Sequence, residues 1–530
     1  MRCSSWGTCC NSFAFLPAIL LLVLLPLTAY AQVSGATLSG TVTDSSGAII
    51  SNVQILIKNE GTGEIRSVTV DSAGLYTAPN LLPGQYDVTV SAPGFSTAVT
   101  NGVTLTVGAQ QQLNVKMKVG QINETIVVTD VASAVQLADS AIGGVIGHEA
   151  VVQLPLNGRD WTSLATLQPG VDSVGSIQAN TGGPDRARRG YGVQMTISGT
   201  RPTQNNYRID GISVNDYTNG GPGSVEGATL GVDAIQEFSV LTSNYSAEYG
   251  RTSGGVINAL TKSGTNGYHG DVYEFFRNSA LDAKNYFDQG GVPLFHRNQF
   301  GGALGGPIIK DKTFFFVDYE GLRESNNVTT LATVPSLAAR NGILCSKPQT
   351  IPGNPPPCQP SQVTQAANPD PATGIDKAVL PFLGLWGPEN PNLPYLDNGN
   401  IGTYSFVGGH VTSENFGVGR LDHRFSDKDS FFGSYQYDKA TLTQPDPNND
   451  VLVGNTTGRG YVALEETRIV NSQIVNSARF GLNRSLHTAA GVKAINPLAA
   501  NLALGENPGA DNPQIDIPGI VSAQPGLNQI

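Results

Sequence analysis

Cysteine is nearly absent from most of this chain. Five occur in 530 residues, and Cys3, Cys9 and Cys10 stand in the first ten positions. Only Cys345 and Cys358 remain, so a cysteine-rich scaffold or a four-cysteine zinc site is excluded. Positive charge is scarce: 31 Lys and Arg stand against 42 Asp and Glu, a formal balance of −11. Neutralising phosphates takes a surplus of basic residues, so nucleic acid is not the expected partner. Charged residues make up only 14% of the chain, unlike a typical soluble enzyme. The six histidines, at 148, 269, 296, 410, 423 and 487, form no HExxH or other tight ligand pair. There is no CxxC. The glycine-rich stretch from Gly220 to Gly231 lacks the Lys-Ser/Thr of a phosphate loop and reads as a flexible loop. No catalytic, cofactor-binding or metal-ligating residue is therefore assigned. After the first thirty residues no apolar run reaches the ~20 residues of a spanning helix. Any membrane crossing further on must be made by a β-barrel.

What is present begins with an export signal. Arg2 supplies a positive start, Phe13 to Leu27 is apolar with Pro17 and Pro26 inside it, and Ala29-Tyr30-Ala31 is a small-x-small cleavage site. Residues 1–31 thus read as a cleaved secretory signal, with a retained anchor as the alternative. Export exposes the chain to oxidising conditions. Cys345 and Cys358 flank the short proline-rich loop SKPQTIPGNPPP and are read as a local disulfide, the alternative being two free thiols.

Residues 36–119 carry the marks of a β-sandwich. Val53, Ile55 and Ile57 share one parity, as do Tyr86, Val88 and Val90, and period-two alternation marks half-buried strands. Turn signals at Asp44 to Gly47, Gly61 to Gly63, Asp71 to Gly74 and Leu82 to Gly84 predict seven or eight strands. Gly40 to Asp44, Asp71 to Tyr76, Leu82 to Tyr86 and Ala92 to Phe95 give the segment a wording that resembles the carboxypeptidase regulatory-like domain. That resemblance implies a prealbumin-like fold and no peptidase activity. The segment is expected to serve as a folding or docking spacer, or else to bind carbohydrate.

Residues 194–266 are the most specific stretch. Asn206-Tyr207-Arg208-Ile209-Asp210-Gly211-Ile212 is a strand, a DG turn and a strand. Val232 to Phe238 is a second strand. Tyr249-Gly250-Arg251, Gly254-Gly255-Val256-Ile257-Asn258 and Thr261-Lys262 follow. This wording resembles the plug domain of TonB-dependent outer-membrane receptors, expected over residues 130–265. The resemblance implies that Asp210, Gly211, Tyr249, Gly250, Gly254, Gly255, Asn258 and Lys262 are the plug motif. Ahead of it, Glu124-Thr125-Ile126-Val127-Val128-Thr129 resembles the TonB box, the segment gripped by the energising protein. An extended, unpaired peptide there would add as a strand to the partner's sheet. The alternative is the last strand of the sandwich or the first of the plug. Leu154-Pro155-Leu156-Asn157-Gly158-Arg159 with Leu167 to Val171 resembles the Oar-like branch of the family. Arg159 and Asp160 are read as plug–barrel contacts or as a solvated turn.

From residue 267 to 530 the strands lengthen and gain aromatics. Tyr273 and Phe275 alternate with Glu274, and Phe315, Val317 and Tyr319 with Phe316, Asp318 and Glu320. Tyr435 and Tyr437 alternate with Gln436 and Asp438, and Phe480 and Leu482 with Arg479 and Asn483. Apolar-out, polar-in alternation is the pattern of an outer-membrane barrel, a soluble sandwich being the alternative. Short turns near residues 309–313 and 426–429 suit its periplasmic side. The Pro/Asn-rich stretch from about 326 to 400 suits an extracellular loop. The resemblance implies about 22 strands. The region holds 530 − 266 = 264 residues and about six to ten recognisable strands. The chain is therefore expected to carry only the first part of its barrel.

The reading is a mainly β protein: a prealbumin-like sandwich, an α/β plug, then the first part of a transmembrane antiparallel barrel. The resemblance implies an outer-membrane receptor of a Gram-negative-type bacterium, with its N-terminal domain and plug on the periplasmic side. It implies energised uptake, a TonB-type protein as partner, contact with outer-membrane lipid, and an external ligand. Siderophore, cobalamin, glycan and peptide all remain open. Ligand contacts are expected on the 219–230 apex. The alternative is a non-transporting surface adhesion or assembly protein with a carbohydrate-binding N-terminal domain.

Overall fold

The computed structural model describes residues 35–120, 125–127, 141–173, 194–225, 229–288, 291–345, 363–364, 370–371, 377, 379–471 and 474–500. The predicted signal, Glu124, Val128, Thr129 and Cys358 lie outside these residues.

The first unit is an eight-stranded sandwich. Its strands are β1 (Ala36–Asp44), β2 (Gln54–Asn59), β3 (Ile65–Thr69), β4 (Leu75–Leu81), β5 (Gly84–Ser91), β6 (Thr97–Leu105), β7 (Gln110–Gln112) and β8 (Val115–Met117). β4, β1 and β7 form one sheet, with β8 also on β1. β3, β2, β5 and β6 lie in order in the other. The alternating residues read from the sequence do face the core: Val53, Ile55, Ile57, Tyr86, Val88 and Val90 are all buried. Each fully buried aliphatic side chain stabilises by about 1.5–3 kcal/mol.

A ninth strand, β9 (Thr125–Val127), extends that second sheet. It runs parallel to β6, pairing Thr97 with Thr125, Ala98 with Ile126 and Val99 with Val127. The box-like segment is therefore not an unpaired peptide at these positions. β6 would otherwise be an open sheet edge, and a β-branched run is well suited to cover it.

The second unit is a sheet in the order β10 (Ile142–Ile146), β15 (Ile235–Ser243), β16 (Val256–Thr261), β13 (Asn206–Ile209), β14 (Ile212–Ser213). The short pair β11 (Val171–Ser173) and β12 (Met195–Ile197) lies beside it. A helix, His148–Gln153, and a 3-10 helix, Trp161–Leu167, complete it. Trp161 meets Phe238 edge to face at 5.0 Å in its core, a contact that adds roughly 0.5–1.5 kcal/mol to their burial. All six residues of β16 are buried, the polar Asn258 and Thr261 among them.

The third unit is one antiparallel meander: β17 (His269–Asn278), β18 (Phe295–Ile309), β19 (Thr313–Pro335), β22 (Ile401–Ser426), β23 (Asp429–Pro445), β24 (Val451–Asn471) and β25 (Ile474–Ala494). The small pair β20 (Leu344–Cys345) and β21 (Val363–Thr364) lies in the long connection. Among the described residues the seven-stranded sheet is open, with β17 and β25 at its edges. β22 has 26 residues, roughly 85 Å at ~3.3 Å per residue, well beyond a ~30 Å hydrocarbon core. No helix among the described residues is long and apolar enough to cross a membrane.

Val317, Tyr319, Tyr435, Tyr437, Phe480 and Leu482 point outward, while Phe316, Asp318, Glu320, Gln436 and Asp438 are buried on the inner face. β17 departs from the expected facing. Tyr273 and Phe275 turn inward, where the Arg159 guanidinium stacks on both rings at 4.1 and 5.2 Å. Val272 and Phe276 are exposed on the other face, and Phe275 stays half exposed beside the arginine. The stretch read as loop from 326 is also strand as far as Pro335, because Asn326 to Pro335 pair residue by residue with β22.

Candidate functional site

The second unit fills the concave side of the meander, and buried polar contacts join the two. Gly158 and Arg159 both have positive φ, 74° and 53°, which swings the arginine side chain out of the plug. Its Nη2 meets Asp233 Oδ2 of the plug at 2.5 Å, and its Nε meets Glu320 Oε1 of the wall at 2.9 Å. Glu320 is fully buried. It also accepts Gly231 N–H at 2.9 Å and Gln299 Nε2–H at 2.7 Å. Arg159 is thus a plug–wall contact, as one of the two readings had it. Asp160 is not. It turns inward, and its Oδ1 caps the 3-10 helix by accepting Thr162 N–H at 3.0 Å. Burial pushes its carboxyl up to about 6, against the pull of the Thr162 hydrogen bonds.

A second lock surrounds Asp210. Asp210 and Gly211 have φ of 49° and 77°, the two-residue turn that a tight Asp-Gly hairpin favours. The Asp210 carboxylate accepts Thr261 N–H at 3.0 Å, Ser434 Oγ–H of β23 at 2.8 Å and Arg420 Nη1–H of β22 at 3.4 Å. Arg420 then grips Asp422 through Nε and Nη2, the latter at 2.8 Å, and stacks on Phe432 at 4.4 Å. A Cβ on Gly211 would collide with the Arg479 guanidinium of β25.

The other motif residues close the plug on itself. Tyr249 is buried, with the Arg208 guanidinium 5.7 Å above its ring, and Gly250 ends its 3-10 turn. A Cβ on Gly254 would sit 2.6 Å from Gln204 O, and one on Gly255 would strike Ile197. Asn258 is buried in β16, and neither its Oδ1 nor its Nδ2 has a hydrogen-bond partner. Lys262 lies 6.0 Å from the Phe316 ring of the wall. The structure therefore brings Asp210, Gly211 and Lys262 to the wall, and leaves Tyr249, Gly250, Gly254, Gly255 and Asn258 within the plug.

The apex is not the loose loop expected. Gly220 to Val225 and Thr229 to Gly231 are buried. Ser224 Oγ–H donates to Glu414 at 2.9 Å, Arg459 Nε–H to Gly223 O at 2.9 Å, and Thr457 Oγ1 accepts Val225 N–H at 3.2 Å. Tyr217, not the glycines, is the exposed side chain of this region. The sequence reading gave no contact role to Asp233 or to the inward Glu320, and did not single out Glu414, Arg420 or Arg459. For the four on strands, the available signal was charge at inward parity; Asp233, in the turn before β15, had none. Among the described residues no group of three His, Cys, Asp or Glu is placed to hold a metal ion.

Cys345 is disulfide-bonded. Its expected partner, Cys358, is outside the described residues.

A plug locked by buried ion pairs into a lipid-facing antiparallel wall, with a sandwich ahead of it, defines a plugged outer-membrane β-barrel receptor. The comparisons agree. The chain belongs to the family of the outer membrane beta barrel domain, whose model matches residues 260–529. The TonB-dependent receptor plug domain matches 155–256, and the carboxypeptidase regulatory-like domain matches 37–118. The chain is 27% identical over 307 residues to the TonB-dependent transporter Oar of Myxococcus xanthus, covering 55% of this chain and 27% of that protein. It is 31% identical over 196 residues to a probable TonB-dependent siderophore receptor, PirA, of Acinetobacter baumannii, covering 36% and 23%. It thus spans about a quarter of the length of these relatives. The outer membrane transporter YddB from Escherichia coli aligns at a TM-score of 0.37 and 15% identity, over 66% of this chain and 39% of that one. The family is one of receptors and transporters, and its place is the outer membrane.

Proposed function

We propose that this chain works in TonB-dependent, energised uptake of an external ligand through a plugged barrel. The observation that carries the reading is the plug itself, held against the wall at Arg159–Glu320 and Asp210–Arg420. Such a plug closes the lumen until work is done on it. Buried charge pairs suit this role because they fix one seating and are costly to leave half-broken. The handle is the segment from Glu124 to Thr129. Its part from Thr125 to Val127 is a sheet-edge strand on β6, and the same backbone groups suit addition to the sheet of a TonB-type periplasmic protein. The ligand class is open among siderophore, cobalamin, glycan and peptide. A siderophore is the class named for one relative.

The test is uptake by cells carrying the complete receptor, using radiolabelled ferric siderophores, cobalamin, oligosaccharides and peptides, with and without an uncoupler. Proline at 127 fixes φ and removes a backbone donor. Val127→Pro is expected to abolish uptake while ligand binding and membrane insertion stay normal. Uptake at the wild-type rate, or uptake indifferent to the uncoupler, would defeat the reading.

A further inference from the structure

In β3 the parity of burial is strict: Ile65, Ser67 and Thr69 are exposed, and Arg66 and Val68 are buried. The ladder sets Arg66 opposite Ile57, which in turn faces Val88. An arginine thus stands at a core position of the sandwich, only 6% exposed. Its Nε and Nη1 have no hydrogen-bond partner. Glu64 attracts it through charge alone. A buried guanidinium in this state is poorly compensated by its own domain.

Arg66 lines a cavity of about 240 Å³, far larger than one water needs. The cavity lies between the sandwich and the short-turn end of the wall. There Asn80 Nδ2–H reaches Thr467 Oγ1 at 3.0 Å, and Gly61 O accepts Asn266 N–H at 3.0 Å. Asn59 and Tyr86 flank Arg66, and Lys312, Phe314 and His423 line the opposite side. Most of the carboxylates around it are already engaged. Asp422 takes Arg420, Glu465 takes Arg479, and Asp311 takes the Asn266 amide. Glu64 is the exception. Lys312, by contrast, has no ion-pair partner among the described residues. Arg66 and Lys312 are therefore cationic donors left over in the lining, and a guanidinium fork matches a carboxylate or phosphate through two hydrogen bonds.

We propose that this cavity is a binding site for a small solute bearing a carboxylate or phosphate, with Arg66 as its anchor and Lys312 as a second charge. It lies beneath the plug, apart from the Arg159–Glu320 lock and bordering the Asp210–Arg420 lock, whose Thr261, Arg420 and Asp422 line it. It does not depend on the uptake reading.

The experiment is isothermal titration of the full chain in detergent with inorganic phosphate and, separately, with citrate, at an ionic strength held constant with chloride. The two probes separate the phosphate and carboxylate cases. Saturable binding of at least one is expected. Arg66→Met, which offers an apolar stem at a core position, should weaken it about tenfold or more with the circular dichroism spectrum unchanged. Arg66→Lys keeps the charge and loses the fork, so it should bind with intermediate affinity. It serves as the second variant if the methionine form misfolds. No saturable binding by the wild-type chain would overturn the proposal, since the cavity would then hold water only. Equal affinity in wild type, Arg66→Met and Arg66→Lys would overturn it as well.

Discussion

Arg159 of the plug and Glu320 of the wall lie 161 residues apart in sequence and 2.9 Å apart in space, and Glu320 is fully buried. The arginine also holds Asp233, so one cation neutralises two buried carboxylates. Arg159→Ala strands both and should cost about 3–5 kcal/mol, the range for breaking a buried pair from one side. Urea unfolding followed by Trp161 fluorescence, in a Trp386→Phe background, would measure it. The pair Arg159→Met with Glu320→Leu should cost less than Arg159→Ala, because only Asp233 is then left without its cation.

Glu237 joins the plug to the sandwich by accepting the backbone N–H of Val107. Burial pushes its carboxyl up to about 7 from the ordinary 4.5, and the Val107 hydrogen bond only partly opposes this. An acid raised on folding contributes stability that is complete below about 4.5 and is lost as pH rises through about 7. Asp160 acts in the same direction but lower, between 3.8 and about 6. The wild-type thermal midpoint should therefore fall between pH 4.5 and 7 relative to that of Glu237→Gln. Parallel curves for the two proteins across that range would refute the assignment.

Gly254 is needed for close backbone approach. A Cβ there would sit 2.6 Å from the carbonyl oxygen of Gln204, which is main chain and cannot rotate away. Gly254→Ala should destabilise the plug by about 1–3 kcal/mol, in the range of overpacking. Gly419→Ala, where a Cβ meets nothing within 4 Å, is the matched control and should be close to neutral. Urea midpoints of the two variants make the comparison.

We expect Cys345 to pair with Cys358. Non-reducing mass spectrometry of the exported protein should give one linked peptide pair spanning that loop. Closing a short loop stabilises by about 2–4 kcal/mol in the chain-entropy model. Two alkylatable thiols would contradict the pairing.

What was legible in the sequence was what repeats locally. Val53, Ile55 and Ile57, or Phe315, Val317 and Tyr319, announce their facing by alternation, and the structure places them accordingly. The Asp210-Gly211 turn was readable because so few residues accept positive φ. Contacts across domains leave no such trace. Asp210 with Arg420, or Ser224 with Glu414, meet only once the plug is seated in the wall. Tyr273 and Phe275 misled because aromatic residues suit lipid and an arginine face equally, and Arg159 decides between them. Thr125 to Val127 read as a free peptide because the open edge of β6, which captures them, is itself a product of folding.

The account turns on whether Thr125–Val127 leaves β6 for the energising partner. Hydrogen exchange resolved to single residues, on the full chain in detergent, measures this directly. Without partner, amides of Thr97–Val99 and Thr125–Val127 that join the shared ladder should be protected together. With the periplasmic domain of a TonB-type protein added, those of Thr125–Val127 should stay protected while those of Thr97–Val99 lose protection. Unchanged protection of both segments, with the partner present at saturating concentration, would contradict the account.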